Sequence, residues 1–390
     1  MVSRFGPINL VIIQATSFCN LDCDYCYLPD RQIRNQLSLD LVEPIFRSIF
    51  TSPFVRDGFA VAWHAGEPLA VPISFYRTAF ERIDEASKKY NHSEAVVVQS
   101  LQTNATLITQ AWCDFFLERN VEIGVSIDGP AFIHDAHRVS RKGAGSHEAA
   151  MRGVELLKKN GIPFHVIAVV SKDSLEHADE IYRFFVENGI EDVGFNIEET
   201  EGVNTVSSLE DKSDIDRRFA AFMQRMWELT AADGGVFKLR EFESICNMIY
   251  YDTRATQTDM NAPFVIVNFD YKGNFSTFDP EMLGVKTGQY GDFIFGNVLT
   301  DSLESICHTE KFQRVQADMQ AGVELCRETC NYFGVCGGGA GSNKYWENGS
   351  FNSAETQACR YRTKIVTDIV LEAFERPGMA PAPGPVSASA

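Results

Sequence analysis

The chain has 390 residues, 45% of them hydrophobic, which is enough for two domains or for one barrel with an appendage. Its formal net charge of −18 argues against general binding of nucleic acids or anionic membranes. We find no run of about eighteen apolar residues that could span a membrane, and we expect no signal peptide. The ten cysteines therefore indicate reduced thiols and metal ligands, and the expected compartment is the cytoplasm.

A loop with three closely spaced cysteines follows the first predicted strand. Residues 8–14 form a short apolar run that indicates a buried strand. Cys19, Cys23 and Cys26 come next, in the spacing C-x3-C-x2-C. A four-iron cluster normally takes four cysteine ligands, so three from one loop leave one iron open to another ligand. The alternatives are a zinc loop, which favours paired C-x2-C units, and three structural thiols.

Strands and helices alternate along the N-terminal part of the chain. Apolar runs predict five further strands, at residues 59–63, 95–101, 121–127, 163–170 and 192–197. Amphipathic stretches predict six helices, at residues 38–51, 74–88, 110–119, 146–160, 176–188 and 215–232. Strands that alternate with helices indicate a parallel sheet. Six repeats are two fewer than a closed eight-fold barrel needs, so the count favours a partial barrel.

Polar motifs stand at the carboxyl ends of the predicted strands, where a parallel barrel places its active site. They are, in chain order, Trp63-His64-Ala65-Gly66-Glu67-Pro68, Asn104, Ser126-Ile127-Asp128-Gly129-Pro130 with Arg138 beyond it, and Glu198-Glu199. Each motif alone has an ordinary explanation, such as a strand-to-turn sequence or a pair of solvated glutamates. Because all of them fall at one face of one barrel, a binding site is the better interpretation.

The alternation stops near residue 234, and four further cysteines follow. Residues 264–270 and 273–278 predict the two strands of a hairpin, and residues 303–321 predict a helix. Cys326, Cys330, Cys336 and Cys359 come after them. Four cysteines can hold a closed four-iron cluster or a zinc ion, and both remain open at this point. Residues 376–390, rich in Pro, Ala and Ser, are predicted to be disordered.

The three-cysteine loop, with Tyr25 just before its last cysteine, resembles the radical S-adenosylmethionine (SAM) enzymes. The resemblance implies a [4Fe–4S] cluster on Cys19, Cys23 and Cys26 whose open iron binds SAM. It also implies cleavage of SAM to a 5′-deoxyadenosyl radical, which removes a hydrogen atom from an unactivated C–H bond. The implied fold is an α/β partial barrel of six (β/α) repeats over residues 1–233.

The same resemblance assigns roles to the polar motifs. Ala65-Gly66-Glu67 is similar to the family's Gly-Gly-Glu motif, whose backbone holds the amino group of SAM, and Ala65 departs from that pattern. Ser126 would contact the ribose side of SAM. Arg138 would bind its carboxylate, since a guanidinium matches a carboxylate through two parallel hydrogen bonds. The remaining predicted cofactor-binding residues are Tyr25, Asn104 and Asp128.

The C-terminal cysteines resemble the SPASM extension of radical SAM peptide maturases, an α+β iron–sulfur domain expected over residues 234–375. The fuller SPASM pattern has two auxiliary sites, and the ligands of one are absent here. The hairpin position is Phe278, the position four after Cys336 is Ala340, and residues 293–297 lack a cysteine. The resemblance therefore implies one auxiliary [4Fe–4S] cluster, or about eight irons per chain in total. Its ligands would be Cys326, Cys330, Cys336 and Cys359.

Within the SPASM group, three motifs look most like the GrrM-type maturases, which build three-residue cyclophanes in glycine-rich-repeat precursors. They are Trp63-His64-x-Gly66-Glu67-Pro68, Phe195-Asn196-Ile197-Glu198-Glu199, and Cys336-Gly337-Gly338-Gly339 with Lys344. The implied reaction removes a hydrogen from a side-chain β-carbon and joins that carbon to an aromatic ring two positions earlier. Glu198 and Glu199 are the candidate catalytic residues.

The implied partners are a ribosomally made precursor peptide and an electron donor such as flavodoxin or ferredoxin, with no nucleic acid and no membrane. Two other radical SAM reactions also fit the sequence: oxidation of a Cys or Ser to formylglycine, as in anaerobic sulfatase maturation, and thioether formation. A non-catalytic iron–sulfur or zinc scaffold is an alternative of another class. It predicts no 5′-deoxyadenosine from reduced protein, so one assay distinguishes it.

Overall fold

Six parallel strands form the middle of one sheet in the computed structural model, which describes residues 5–210 and 212–375. They are β1 (Leu10–Ile13), β2 (Gly58–Trp63), β3 (Val96–Thr103), β4 (Glu122–Ser126), β5 (Phe164–Val170) and β6 (Asp192–Ile197). Each strand pairs in parallel with the next one along the chain. The parallel sheet predicted from the alternation of strands and helices is confirmed.

Helices connect these strands and cover one face of the sheet. They are α1 (Val42–Phe50), α2 (Ile73–Tyr90), α3 (Gln110–Arg119), α4 (Ala131–His137), α5 (His147–Lys159), α6 (Ala178–Glu187) and α7 (Lys212–Ala232). In α1, Val42, Ile45, Phe46 and Ile49 have the i, i+3, i+4, i+7 spacing, and all are buried. Ser38 caps a 3₁₀ turn that precedes α1, not α1 itself. The short helix α4 was not predicted, because seven residues show too little periodicity.

The two faces of the sheet differ in character. Toward the helices the strands present large apolar side chains such as Trp63, which is fully buried. Trp63 packs edge-on against Tyr76, with 5.2 Å between the ring centroids. The opposite face carries the half-buried polar residues Ser100, Gln102 and Asn196. Because no apolar layer seals these polar groups, this face is the one on which a ligand can bind.

The sheet continues into the C-terminal part of the chain at both edges. At one edge β7 (Lys238–Leu239) lies parallel beside β6, and at the other β8 (Ile266–Phe269) lies parallel beside β1. The remaining strands are β9 (Asn274–Thr277), antiparallel to β8; β10 (Lys286–Thr287) and β11 (Gly291–Asp292), which form a separate pair; and β12 (Gly296–Asn297), antiparallel to β9. The predicted hairpin is present as β8 and β9. The domain boundary predicted at residue 233 falls between strands of one sheet.

The C-terminal helices place the four later cysteines. They are α8 (Arg240–Tyr250), α9 (Glu310–Thr329), α10 (Phe333–Cys336), α11 (Gly341–Asn348), α12 (Gln357–Cys359) and α13 (Val366–Glu375), with a π-helix at Arg360–Ile365 between the last two. Helix α9 begins and ends later than the expected 303–321. The helix continues through Gly322 without a break. A side chain at Gly322 would meet the Phe351 carbonyl oxygen at 2.0 Å. Gly322 therefore serves close packing, and α9 carries Cys326 in its last turn.

One hydrophobic core joins the N-terminal and C-terminal parts of the chain. Val11 of β1 and Val267 of β8 are both fully buried in it. The tail predicted to be disordered, residues 376–390, lies outside the described residues. Within the described ranges, no helix has the length and apolar composition needed to cross a lipid bilayer.

Candidate active site

The carboxyl ends of the parallel strands surround a cavity of about 240 Å³, the first cavity. Cys19, Cys23 and Cys26 line it together. The other predicted site residues that line it are Tyr25, Gly66, Glu67, Asn104, Ser126, Arg138, Glu198 and Glu199. Asp128 is buried and does not line the cavity. The structure thus brings the motifs at the strand ends to one place.

Hydrogen bonds to the backbone hold the three cysteines in a tight loop. The Cys19 amide donates to the Arg31 carbonyl at 2.9 Å, and the Cys26 amide donates to the Cys23 carbonyl at 3.3 Å. Two arginine side chains hold the loop as well. Arg141 Nε donates to the Cys19 carbonyl at 2.7 Å, and Arg31 Nη1 donates to the Cys26 carbonyl at 3.0 Å. Neither arginine was predicted, because an arginine outside a motif gives no sequence signal for such a contact.

Gly66 lets the loop after β2 lie directly on the cysteine loop. Its φ is +87°, and a Cβ there would be 2.4 Å from the Thr16 carbonyl oxygen. The Glu67 amide donates to the Phe18 carbonyl at 2.8 Å. Ala65, in place of the motif's first glycine, also has a positive φ, +69°, which costs an L-residue roughly 1–2 kcal/mol. The close approach therefore requires glycine at Gly66, and the methyl group of Ala65 is tolerated.

The Glu67 carboxylate ties the loops after β2 and β3 together. Oε1 accepts from Thr103 Oγ1 at 2.7 Å and from the Leu69 amide at 2.9 Å, and Oε2 accepts from the Asn104 amide at 2.9 Å. The side chain is buried, and this burial raises the pKa of Glu67. Asn104 Nδ2 in turn donates to Asn20 Oδ1 of the cysteine loop at 2.9 Å. Both carboxylate oxygens of Glu67 accept hydrogen bonds from protein groups. A ligand can therefore bind the backbone of Glu67 but not its carboxylate.

Asp128 orients Arg138 and Tyr25. Its Oδ2 accepts from Arg138 Nε at 2.9 Å and from the Tyr25 hydroxyl at 2.5 Å. Burial is the largest single influence and would raise the pKa of Asp128, but the Arg138 guanidinium, together with other neighbouring groups and hydrogen bonds, holds the pKa below its ordinary value. The ion pair uses Arg138 Nε, so the Nη nitrogens remain for an anionic ligand at the cavity wall. At the same wall, Ser126 Oγ accepts from Gln102 Nε2 at 2.9 Å.

Four glutamates from separate positions line the first cavity in addition to Glu67. Glu198 accepts a hydrogen bond from a serine hydroxyl, and Glu199 pairs with Arg362 at 3.3 Å. Glu201 and Glu281 were not predicted, yet they line the same cavity. They belong to the segments after β6 and after β9, so they share no sequence motif that could have identified them together.

Burial, reinforced by neighbouring carboxylates, holds two of these glutamates, Glu201 and Glu281, and the buried Asp279 in the protonated form to higher pH than usual. It raises the pKa of Asp279 to about 7 and of Glu281 to about 8, and that of Glu201 well above its ordinary value. The Ser342 amide donates to Asp279 Oδ2 at 2.7 Å, and the Ser342 hydroxyl donates to Glu201 at 2.6 Å. Asp279 Oδ1 and Glu281 Oε2 are buried without a hydrogen-bond partner among the described residues. Asp279 and Glu281 can therefore exchange protons near neutral pH.

The four C-terminal cysteines line a second cavity, of about 540 Å³. Cys326 lies in the last turn of α9 and Cys330 directly follows that helix, whereas Cys336 ends α10 and Cys359 ends α12. The three glycines of Gly337–Gly339 all have positive φ, which carries the chain sharply away from Cys336. Because thiols from separate elements face one cavity, the residues fit a group that takes four cysteine ligands.

A site for a single metal ion needs ligands that lie close together around one point. Within the described part of the chain, no three His, Cys, Asp or Glu side chains are grouped closely enough to hold one metal ion. In a four-iron cluster each thiolate binds a different iron, so its ligands stand further apart than the four thiolates around one zinc ion. Three cysteines line the first cavity and four line the second.

Apolar side chains occupy the positions at which the resemblance to the SPASM extension predicts that cluster ligands are missing. Phe278 stands at the hairpin position and is fully buried. It stacks on Phe312 with 6.2 Å between the ring centroids, and Phe295 contacts both rings. Ala340, at another of the missing ligand positions, is buried too. These positions contribute apolar packing in place of thiol ligands.

The chain is similar in sequence to radical SAM proteins and to anaerobic sulfatase-maturating enzymes. The family model of the Radical SAM superfamily matches residues 13–185. The chain is 58% identical over 374 residues to an uncharacterized protein of Synechocystis sp. (strain ATCC 27184 / PCC 6803 / Kazusa), which covers 96% of this chain and 94% of that protein. It is 27% identical over 354 residues to the cysteine-type anaerobic sulfatase-maturating enzyme of Clostridium novyi (strain NT), covering 86% and 88%. With the serine-type enzyme of Bacteroides thetaiotaomicron it shares 35% identity over 187 residues, covering 46% and 44%.

Solved structures show the same fold. Native anSMEcpe with bound AdoMet and Cp18Cys peptide superposes with a TM-score of 0.74 at 22% identity, covering 95% of this chain and 97% of that one. Streptococcus suis SuiB bound to precursor peptide SuiA gives a TM-score of 0.59 at 15% identity, covering 92% and 77%. The likeness extends over both parts of the chain, so the C-terminal extension belongs to the shared fold.

A three-cysteine loop at the carboxyl edge of a parallel sheet, beside a backbone that only glycine can form, defines an iron–sulfur enzyme of the α/β class. The chain belongs to the radical SAM superfamily. Members of this superfamily bind a [4Fe–4S] cluster and SAM, and these are the cofactors of this enzyme. The predicted fold class and the prediction of a radical SAM enzyme are confirmed.

Proposed function

We propose that this enzyme modifies a ribosomally made precursor peptide by joining a side-chain β-carbon to the aromatic ring two residues earlier, which closes a three-residue cyclophane. The observation that carries the proposal is the combination of two cysteine-lined cavities with partly unpartnered carboxyls beside the first. A peptide substrate is supported by the neighbours of like fold, anSMEcpe with its Cp18Cys peptide and SuiB with precursor peptide SuiA. The motifs that end in Glu199 and in Lys344 support the cyclophane subgroup.

The proposed reaction removes two hydrogens from the peptide for each ring formed. One hydrogen atom leaves the β-carbon, and as the new C–C bond forms, the aromatic ring releases a proton and one electron. When bound, SAM on the first cluster supplies the hydrogen-atom acceptor, and the auxiliary cluster supplies a one-electron acceptor. The protein must therefore provide two cofactor sites and one proton acceptor.

The two groups of cysteines and the walls of the first cavity would provide the cofactor sites. Arg138, held by Asp128, would bind the carboxylate of SAM through its Nη nitrogens. The backbone at Gly66 would hold the amino group, and Ser126 would face the ribose. The cluster that leaves one iron open would take Cys19, Cys23 and Cys26, and the closed auxiliary cluster would take Cys326, Cys330, Cys336 and Cys359.

Glu281, with Asp279 close to it, is the proposed proton acceptor. Its carboxyl lines the first cavity and has a buried oxygen without a hydrogen-bond partner among the described residues. Burial raises its pKa to about 8, and a group whose pKa lies near the working pH can both take up and release a proton. Glu198 and Glu199 are the glutamates expected from the sequence. Glu198 already accepts a hydrogen bond from a serine hydroxyl, and Glu199 accepts one from an arginine. We therefore rank them second for this role.

Oxidation of a Cys or Ser to formylglycine is the second candidate function. It is favoured by the identities to the sulfatase-maturating enzymes of Bacteroides thetaiotaomicron and Clostridium novyi. That reaction also removes a hydrogen atom from a β-carbon and needs a proton acceptor, so the same cavity would serve it. Thioether formation is the third reaction that the site could accommodate.

The proposal includes an electron donor and a compartment. Flavodoxin or ferredoxin would supply the electron that starts each turnover. The described cysteines are free thiols, and the reducing cytoplasm would keep them so. We therefore place the reaction in the cytoplasm.

Coexpression with a candidate precursor that carries aromatic-x-polar repeats, followed by mass spectrometry, tests the reaction. A cyclophane makes the peptide about two daltons lighter per ring and prevents backbone fragmentation inside the three-residue motif. Serine-derived formylglycine has the same mass change, so deuterium on the aromatic ring is the deciding label. Cyclophane formation removes one ring deuterium, whereas formylglycine keeps it and reacts with a hydrazide. A thioether to cysteine, or full retention of ring deuterium, would contradict the proposal.

A further inference from the structure

Lys344 is a buried lysine beside the second cavity. It lies on α11 with 3% of its surface exposed. Its Nζ donates to the Gly322 carbonyl oxygen at 2.7 Å and to Cys326 Sγ at 3.3 Å. The ammonium group therefore contacts one of the four proposed ligands of the auxiliary cluster directly.

Gly322 makes room for this contact. A Cβ on Gly322 would lie 2.0 Å from the Phe351 carbonyl oxygen and 3.2 Å from Lys344 Nζ. Glycine inside a helix is unfavourable relative to alanine, so its place in the middle of α9 needs a packing reason. The reason is that the Phe351 backbone and the Lys344 ammonium group both approach Gly322 closely. The Gly322 carbonyl oxygen, as acceptor, then fixes the position of the ammonium group.

Lys344 differs from the other cations around the second cavity, because no carboxylate of the described residues forms an ion pair with it. The paired cations that line this cavity are Arg240 with Glu241, Arg362 with Glu199, and Lys364 with Glu355. A buried charge is stable only beside an opposite charge or a set of polar partners. Lys344 therefore requires an anion within the cavity, at the sulfur that it contacts.

We infer that Lys344 is a positioning residue of the auxiliary cluster, whose ammonium group donates to the Cys326 thiolate and raises the reduction potential of the cluster. The inference rests on the proposed auxiliary cluster. Four thiolates give a [4Fe–4S] cluster a net negative charge, and this charge grows when the cluster gains an electron. A fixed, buried cation with a hydrogen bond to sulfur stabilises the reduced form more than the oxidised form. Lys344 thereby favours transfer of the electron that leaves the aromatic ring to this cluster.

The midpoint potential of the auxiliary cluster tests the inference. It is measured on the full-length, anaerobically reconstituted protein by a redox titration followed by electron paramagnetic resonance. Addition of SAM changes the signal of the first cluster and so identifies the other. Lys344→Met keeps the chain length but removes the charge, and we expect a lower midpoint potential than in the wild type. Lys344→Arg keeps the charge and is expected to stay nearer to the wild-type value.

Lys364→Met is the matched control, because Lys364 lines the same cavity but is paired with Glu355. Its potential is expected to shift less than that of Lys344→Met. An unchanged potential in Lys344→Met, or an equal shift in the control, would overturn the inference. If the Lys344→Met variant does not hold the cluster, the Lys344→Arg variant shows whether the charge or the packing of Lys344 is responsible. A cluster retained with arginine supports the role of the charge, and a cluster lost in both variants indicates packing alone and overturns it.

Iron content separates this inference from the proposed function. A wild-type protein with about eight irons per chain and equal potentials in all variants would refute only the role of Lys344. A wild-type protein with about four irons per chain would remove the auxiliary cluster itself, whatever the variants do.

Discussion

At the scale of single residues, Gly66 is where the loop after β2 and the cysteine loop come closest. A methyl group on Gly66 would lie 2.4 Å from the Thr16 carbonyl oxygen. Gly66→Ala must therefore push the loops apart and displace the backbone groups that face SAM. We expect 5′-deoxyadenosine formation to fall by about 100-fold, since displacement by about 1 Å can cost that much. The iron content after reconstitution should stay unchanged, which shows that the cysteine loop itself is intact.

Ala65→Gly is the matched control for that change. Ala65 already has a φ of +69°, and glycine would remove a strain of roughly 1–2 kcal/mol at an entropic cost of about 0.5–1 kcal/mol. We expect normal SAM cleavage and a free energy of unfolding that is equal or up to about 1.5 kcal/mol higher. An equal loss of cleavage in both variants would mean that the close approach at Gly66 is not the cause.

At the scale of elements, the apolar pattern within each segment was enough to predict strands and helices, but it did not predict which distant strands pair. The six parallel strands and their helices were predictable because each carries its own apolar pattern. The pairing of Leu10 with Ile266 was not, because nothing in either strand specifies a partner so distant along the chain. The helix predicted at residues 303–321 extends to Thr329 in the structure, and its contact between Gly322 and Phe351 exists only in the tertiary structure.

The same distinction applies to the candidate site. The cysteines and the motifs at the strand ends were predictable because their chemistry is visible in short spacings. Arg31 acts on the cysteine loop through a backbone carbonyl, which no spacing reveals. Glu201 follows β6, whereas Asp279 and Glu281 lie together after β9, so the three approach one another only when β6, β9 and α11 are in place. Their function as a group is a property of the tertiary structure.

These three carboxyls should make stability depend on pH. Their pKa values are higher in the folded protein than in the unfolded chain, at about 7 for Asp279 and about 8 for Glu281. Between pH about 4 and about 8 the folded protein therefore binds more protons than the unfolded chain. Their contribution to stability is complete below pH about 4 and is lost as the pH rises through 7 to 8. We expect the free energy of unfolding, measured in urea, to fall from pH 6 to pH 8.

Asp279→Asn tests whether this group causes the fall. The amide oxygen can still accept from the Ser342 backbone amide, but the side chain no longer titrates. The decline in unfolding free energy between pH 6 and pH 8 should become shallower than in the wild type. A decline of equal steepness would assign the pH dependence to other groups.

At the scale of the whole molecule, two separate cysteine-lined cavities predict how iron is distributed in the chain. We expect about eight irons per wild-type chain after anaerobic reconstitution. Replacing Cys19, Cys23 and Cys26 together by Ala should leave about four irons and abolish SAM cleavage. The fold should survive, because the main hydrophobic core does not depend on these thiols. Iron and sulfide analysis, with circular dichroism for the fold, provides the measurement.

The complementary variant replaces Cys326, Cys330, Cys336 and Cys359 together by Ala, and it should also retain about four irons. About twelve irons in the wild-type protein would reveal a third set of ligands. About four irons together with bound zinc would assign the second cavity to a zinc ion.

The strand that leads into the cysteine loop lies between β2 on one side and β8 on the other. During synthesis on the ribosome, β1 is among the first segments to emerge, but its second neighbour is made only when residues 266–269 follow. Until then β1 has an unpaired edge, and its Val11 and Ile13 lack their final apolar cover. We therefore expect a nascent chain cut short near residue 233 to be prone to aggregation through the open edge of the strand that carries the cysteine loop.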